Sequence, residues 1–385
     1  MRILWIGPWH SDVLCQQVRG SMAQALHEAG IEISTIVVGS PGSWTTGGFD
    51  YIYYCPKPRG WLGKIVNQFR FIAIASHYRG DHIVLGEKAA HFAPWLALVR
   101  RMGLRTWKLV LDIRTLPIPL SANDAQRNVQ KRFWLQLKTA FRHVDAWMAI
   151  TPRLRDAVMD KVNTRNLPCQ IWQSAVDRSF LESGGVEPAD FITKCGHAIN
   201  VLYLGSLGRG RQLDLAVKAM AEPRFASGAI GLHLVGTGDH LDELRGLVAR
   251  QRLERLVHIW GSIPYAGIQS VLKGCDLGIL PLPPLEAWNV SSALKLFEYL
   301  GAGLPVLVSD IPAHRDVLDC KSFAFFMPEY SLAGFASTLE SFSNLSLDQR
   351  HALGLQARGF VAAAHTWNHR AHDIQGFLAR LDSQT

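Results

Sequence analysis

Arg209 and Arg211 lie in the stretch LYLGSLGRGRQLDLAVKAM (202–220), which reads as a strand, a glycine-rich loop and a helix. Gly205, Gly208 and Gly210 allow a ligand close to the backbone, the helix start adds positive partial charge, and guanidiniums offer forked donors that match phosphate oxygens. In outline this is a diphosphate cradle; the alternative is a solvated turn with two exposed arginines. It is not a Walker loop, because G-K-[ST] is absent, and GSLGRG lacks the dinucleotide spacing. VGTGDHL (235–241), which holds Gly236, is half of a G-x-G-x-x-G with Leu241 at the third glycine, a weak signal.

A second constellation is SSALKLFEYLGAGLPVLVSD (291–310). Ser291 or Ser292 is expected as the N-cap of its helix, Leu294, Phe297 and Leu300 as the inward stripe, and Lys295 and Glu298 as neighbours on one face. The two charges are either a simple intrahelical ion pair or ligand groups. The helix follows the proline-rich PLPPLEAWNV (281–290) at the end of a strand, so its free amides should face a cleft. There Lys295 could meet a phosphate while the Glu298 carboxylate accepts hydrogen bonds from a pair of ribose hydroxyls.

Elements that position such groups are legible around them. RILWIG (2–7), VLCQQVRGSMAQALHEAG (13–30) and IEISTIVVG form a βαβ pattern, followed by strand-like runs at 82–86, 108–113 and 146–150. A second series runs through 200–205, 231–236, 256–261, 275–282 and 305–310. The expected fold is α/β: two Rossmann-like doubly wound domains facing across a cleft. Their expected extents are 1–183, a linker at 184–198 rich in glycine and mixed polarity, 199–360, and a closing helix at 361–385 packing back toward the first domain. Ligands of such sheets bind beyond the carboxyl ends of the strands, so acceptor contacts are sought at His10, Asp12, Glu87 and Arg114 in the first half.

Bulk properties narrow the class. With 385 residues, 48% hydrophobic and 19% charged, the chain suits two soluble domains, and no run is long enough to span a membrane. The start, MRILWIG, reads as a first strand rather than a signal peptide, which sets a cytoplasmic expectation. Six scattered cysteines without a C-x-x-C pair argue against zinc and a disulfide framework and read as buried thiols. A net charge of +8 asks for an anionic partner. Nucleic acid is disfavoured, since the cations sit in phosphate-sized loops without an aromatic platform or reading helix. Residues 56–80, however, interleave Lys57, Arg59, Lys64, Arg70 and Arg79 with Trp61, Leu62, Ile65, Val66, Phe69 and Ile72, as a helix lying on the anionic inner face of a cytoplasmic membrane does. RNVQKRFWLQLKTAFRH (127–143) shares this character but reads better as a core-facing helix.

The second half resembles the nucleotide-sugar domain of family 4 retaining glycosyltransferases, which adopt the GT-B fold. The resemblance is carried by YLGSLGRGRQLDLAVKA, HLVGTGDHLDELRGLV, VHIWGSIPYAGIQSVLKGCDLGILPL and KLFEYLGAGLPVLVSD, in that order, and by the closing FVAAAHTWNHRA. It implies a metal-independent hexosyltransferase, without a cofactor, that moves a sugar from a nucleotide-diphosphate donor to a glycan or lipid-linked acceptor in envelope polysaccharide or glycolipid synthesis. A nucleotide-sugar epimerase or a non-catalytic nucleotide-sugar-binding protein is the alternative. Arg211 takes the position of the diphosphate-holding basic residue and Glu298 that of the ribose carboxylate. Departures are Val290, where relatives often carry a sugar-contacting Glu, with Glu286 nearby; Ser206, where many carry a basic residue that Arg209 could replace; and Arg114, where many carry a cleft histidine. Arg211, Lys295 and Arg114 are the expected catalytic groups, with Gly205, Ser206, Arg209, Gly236, Ser291, Ser292 and Glu298 completing the donor pocket. No D-x-D motif occurs, and no metal ligands are expected.

Overall fold

A computed structural model describes residues 1–7, 13–40, 47–117, 124–162, 166–182 and 185–383, with the side chains of 13–19 and 124–127 left undescribed. The chain separates into two compact units, Met1–Gln173 with Trp367–Thr385, and Ser174–Thr366.

Among the described residues of the first unit, seven strands form one parallel sheet: β1 (Arg2–Ile6), β2 (Glu32–Val38), β3 (Tyr51–Cys55), β4 (His82–Gly86), β5 (Lys108–Ile113), β6 (Ala146–Ala149) and β7 (Cys169–Ile171), in the order β3-β2-β1-β4-β5-β6-β7. The central strand β4, HIVLG, is buried along its whole length. That is what a parallel strand covered by helices on both faces requires, and why it reads as an unbroken apolar run. Edge strands β3 and β7 were not expected from the sequence: both are short and only partly buried, so neither shows a clear period.

The second unit repeats the plan with six described strands: β8 (Ile199–Leu204), β9 (Ile230–Val235), β10 (Val257–Trp260), β11 (Leu277–Leu280), β12 (Val306–Ser309) and β13 (Ala324–Met327), ordered β10-β9-β8-β11-β12-β13 and parallel throughout. Only β13 was not expected; its AFFM is half-buried at the sheet edge.

The unit boundaries differ from the sequence expectation for packing reasons. Val176 and Phe180 are buried in the second core, so the chain changes units at Gln173 and Ser174 rather than near residue 183. The segment expected as a linker holds the short helix Asp190–Thr193, whose Ile192 is fully buried in that same core. Residues 361–364 complete the helix Leu347–Ala364 of the second unit, and the closing helix begins at Trp367. That helix belongs to the first unit, where Asn368 Nδ2 donates to Glu28 Oε2 at 2.8 Å and the Lys108 ammonium donates to the Leu381 carbonyl.

Of the cysteines, Cys55 is buried, Cys169, Cys195 and Cys275 are half-buried and Cys320 is exposed, all of them free; the expectation of buried thiols fails at Cys320, and the Cys15 side chain lies outside the described residues. Among the described residues no helix is long and apolar enough to cross a membrane, and no three His, Cys, Asp or Glu side chains gather as a metal site needs.

Candidate active site

In the second sheet the strand order reverses between β8 and β11, so the loops that leave the carboxyl ends of these two strands are neighbours. The first constellation sits on the loop after β8, and the second on the helix that follows the loop after β11. Gly205 leaves β8 with φ 151°, and Gly236 leaves β9 with φ 145°. A Cβ on Gly236 would lie 1.8 Å from the Gly205 carbonyl oxygen, and one on Gly238 would lie 2.4 Å from the Leu207 backbone. The glycines of VGTGDHL therefore let one loop rest directly on the other, with Leu207 N–H donating to the Thr237 carbonyl at 2.9 Å. The half motif is explained by this loop-to-loop approach.

The two arginines of GSLGRG go separate ways. Arg209 is exposed and forms a two-pronged ion pair with Glu243, with Nη1 2.6 Å from Oε2, while its backbone N–H donates to Asp239 Oδ1 at 3.0 Å. That pairing holds Glu243 below the usual carboxylate range. Arg211 stacks over the Trp288 ring, its guanidinium carbon 4.1 Å from the centroid, and Trp288 Nε1 donates to the Gly210 carbonyl at 3.0 Å. One tryptophan thus locks the Arg211 loop to the loop that follows β11. Its signal in the sequence was a large aromatic inside an otherwise polar and proline-rich turn, EAWN. Ser206 is exposed, and its carbonyl accepts from the Tyr203 hydroxyl at 2.9 Å. Burial pushes the Tyr203 phenol up, opposed by the charge of Arg211.

The helix carrying the second constellation runs Leu294–Ala302, and its N-cap is Ala293, with no side-chain cap. The expected serine cap is corrected by the turn before it: Ser291 Oγ donates to the Trp288 carbonyl at 2.9 Å, and Ser292 Oγ accepts from Ser174 N–H at 3.1 Å. The expected inward stripe is also corrected. Leu296 through Gly301 are all buried, because the helix is enclosed on every side. Tyr299, unforeseen from the sequence, pins it to the sheet: the phenol oxygen accepts from Leu204 N–H at 2.7 Å, and its ring fills the space above Gly278, where a Cβ would come within 2.4 Å. The helix ends at Gly303, whose φ of 85° suits a residue without a Cβ.

Lys295 and Glu298 do form an ion pair, with Nζ 2.5 Å from Oε2. It is no solvated pair, since the Lys295 side chain is 22% exposed and that of Glu298 only 2%. Burial raises the Glu298 carboxyl above its ordinary range, and the Lys295 charge pulls against that rise. Val290 is buried and Glu286 exposed, so the two are placed differently with respect to solvent. Beside Val290, the Asn289 side-chain oxygen is buried without a hydrogen-bond partner, an acceptor with no signal in the sequence pattern.

In the first unit, Arg114 follows β5 and lies over the Trp172 ring, 4.0 Å from its centroid, while its N–H donates to Glu87 Oε2 at 3.4 Å. Trp172 Nε1 in turn donates to buried Asp112 at 2.9 Å. Glu87 also borders a cavity of about 560 Å³ lined by Thr115, Leu116, Pro117, Val129 and Phe133. His10 and Asp12 lie outside the described residues.

Comparison with known proteins agrees with this architecture. Residues 198–344 match the family model described as glycosyl transferases group 1. WcaL of Escherichia coli K12, assigned to colanic acid biosynthesis as a glycosyltransferase, is 21% identical over 74% of this chain and 67% of its own length. The amylovoran biosynthesis glycosyltransferase AmsK of Erwinia amylovora is 24% identical over 40% of this chain and 39% of its own. Among solved structures, sucrose-phosphate synthase from Thermosynechococcus elongatus superposes with a TM-score of 0.74 at 16% identity, covering 100% of both chains. HepE of Anabaena, with UDP and glucose, gives 0.71 at 14% identity, covering 99% of this chain and 100% of HepE. Residues 198–344 are similar to the group 1 glycosyltransferases and the whole chain shares the GT-B fold of these structures: it is a family-4-like glycosyltransferase.

Proposed function

We propose that this enzyme moves a hexosyl group, with retained configuration, from a nucleoside diphosphate sugar to a hydroxyl of a glycan or lipid-linked glycan during cell-envelope polysaccharide synthesis. The observation that carries the reading is the Arg211 loop held by Trp288 against the start of the Lys295 helix, at the point where the strand order reverses. The complex of HepE with UDP and glucose, and the polysaccharide pathways in the names of WcaL and AmsK, support it.

Cleavage of the anomeric bond leaves the electron pair and negative charge on the departing diphosphate. Preorganised cations lower that barrier because they stabilise the charge as it develops. Arg211 presents a planar fork to the diphosphate, and Lys295 adds a second charge close to the uncapped amides of its helix. In this reading the donor ribose exchanges with Lys295 for the Glu298 carboxylate, and Lys295 turns to phosphate. The acceptor hydroxyl attacks on the face the diphosphate leaves and passes its proton to a phosphate oxygen, so no protein nucleophile and no metal are used. Arg209, engaged by Glu243, joins only if that exposed pair opens.

The first unit takes the acceptor, with Arg114 and Glu87 beside the largely apolar cavity at the carboxyl ends of β4 and β5. The helix Gly60–His77 presents Trp61, Leu62 and Phe69 at 60–70% exposure, with Lys64 and Arg70 exposed among them. Apolar side chains flanked by cations fit an anionic bilayer surface, which would bring the enzyme to a lipid-linked acceptor on the cytoplasmic face. Release of nucleoside diphosphate that requires the acceptor and is unchanged by EDTA supports transfer. Epimerised nucleotide sugar without acceptor would replace this reading with the epimerase one.

A further inference from the structure

At the opposite end of the second sheet, beneath the amino ends of β8, β11 and β12, lies a cavity of about 610 Å³. Its size is that of a small-metabolite site. Asn200 in β8, Asp276 just before β11 and Pro305 just before β12 line it, whereas the donor loops leave the other ends of these strands. It is therefore separate from the proposed active site.

The charges around this cavity are unequal. Lys273, Arg350 and Arg358 line it together with His351, and the single acid among the lining residues is Asp276. That acid is already engaged: Oδ2 accepts from Asn200 N–H at 2.8 Å, and Oδ1 lies 3.4 Å from Arg350 Nη1. Arg358 Nη2 donates to the Ala302 carbonyl at 3.0 Å, at the end of the Lys295 helix. Arg350, Gly354 and Arg358 are spaced four apart on the helix Leu347–Ala364, so they share one face. Gly354 is what lets that face come down, since a Cβ there would lie 2.3 Å from the Gly303 carbonyl oxygen. The close glycine contact thus holds Arg350 and Arg358 on one wall of a cavity that Lys273 also lines and in which Asp276 is the single lining acid.

We propose that this cavity binds the phosphate dianion of a small phosphorylated metabolite, with Arg350 and Arg358 as forked donors and Lys273 as a point charge. The proposal does not depend on the donor site. Calorimetric titration of the whole protein at low salt with glucose 1-phosphate, and separately with inorganic phosphate, tests it. Saturable binding is expected, weakened about tenfold or more in the Arg350→Gln, Arg358→Gln double variant and unchanged in Arg211→Ala. Should the double variant fail to fold, Lys273→Gln, a change at an exposed side chain, should weaken binding severalfold without altering the melting temperature. Equal affinity for both probes supports recognition of phosphate itself, and tighter binding of the ester supports added contacts to the sugar. No binding of the ester, or binding lost in Arg211→Ala but kept in the double variant, overturns the proposal.

Discussion

Replacing Lys295 by alanine tests whether the pair with Glu298 is the enclosed one described here or the solvated pair that its spacing alone allows. With Glu298 2% exposed and Lys295 22%, removal of the lysine leaves a carboxylate buried without its counter-charge. Breaking a buried pair costs about 3–5 kcal/mol, and the partial exposure of Lys295 favours the lower figure, about 3 kcal/mol. In a unit of this size that corresponds to a fall of about 6–12 °C in melting temperature. The loss should depend on pH with a definite sign. Burial already raises the folded-state Glu298 carboxyl, and Lys295 opposes the rise. Without the lysine the folded group binds its proton more tightly still, so the variant is penalised least near about pH 4, where the unfolded carboxyl is also protonated, and increasingly as pH rises through the folded value. Urea unfolding at pH 5 and pH 8, followed by circular dichroism, reads this directly. Lys295→Ala should lose most at pH 8, and Glu298→Gln added to it should restore part of the loss. A deficit below about 1 kcal/mol that is equal at both pH values is what a solvated surface pair produces, and it would refute the reasoning.

Trp288→Ala removes both the stack on Arg211 and the bond to Gly210; transfer should fall by about tenfold or more with the fold retained by circular dichroism, and an unchanged rate would detach Trp288 from the site. His233, buried between Asn200 and Trp260, is held down to about 3 by burial and by His258 and His197. Its neutral form therefore contributes stability that is full above about pH 6.5 and is lost as pH falls toward the folded value, so His233→Leu should be destabilised at pH 7.5 and converge on the wild type in acid unfolding curves. Trp61→Ser with Phe69→Ser should abolish low-salt retention on vesicles containing anionic lipid while leaving transfer to a soluble acceptor unchanged; retention equal to wild type would remove that helix from the membrane contact.

The fold was legible because buried parallel strands are continuous apolar runs: all the strands with full burial were expected, and the three overlooked were short edges such as YIYYC. Lys295, Glu298 and Arg211 stood out because charge and glycine are unusual in such surroundings. Their true partners did not, since contacts between loops of different strands leave no periodic trace. Trp288 against Arg211 and Tyr299 against Leu204 span 77 and 95 residues of sequence, and only the strand order brings them together. The serine cap fails for a related reason: Ser292 Oγ accepts from Ser174 N–H, far upstream, and the N-cap of the helix is Ala293, with no side-chain cap.

The central claim is that Arg211 grips a donor diphosphate. Calorimetric titration of wild type and Arg211→Ala with the one among UDP, GDP and ADP that most raises the wild-type melting temperature measures it directly. Loss of a charge-assisted contact worth about 1.5–3 kcal/mol predicts binding weaker by about ten- to 150-fold in a variant that melts normally. Equal affinity in the two proteins would contradict it.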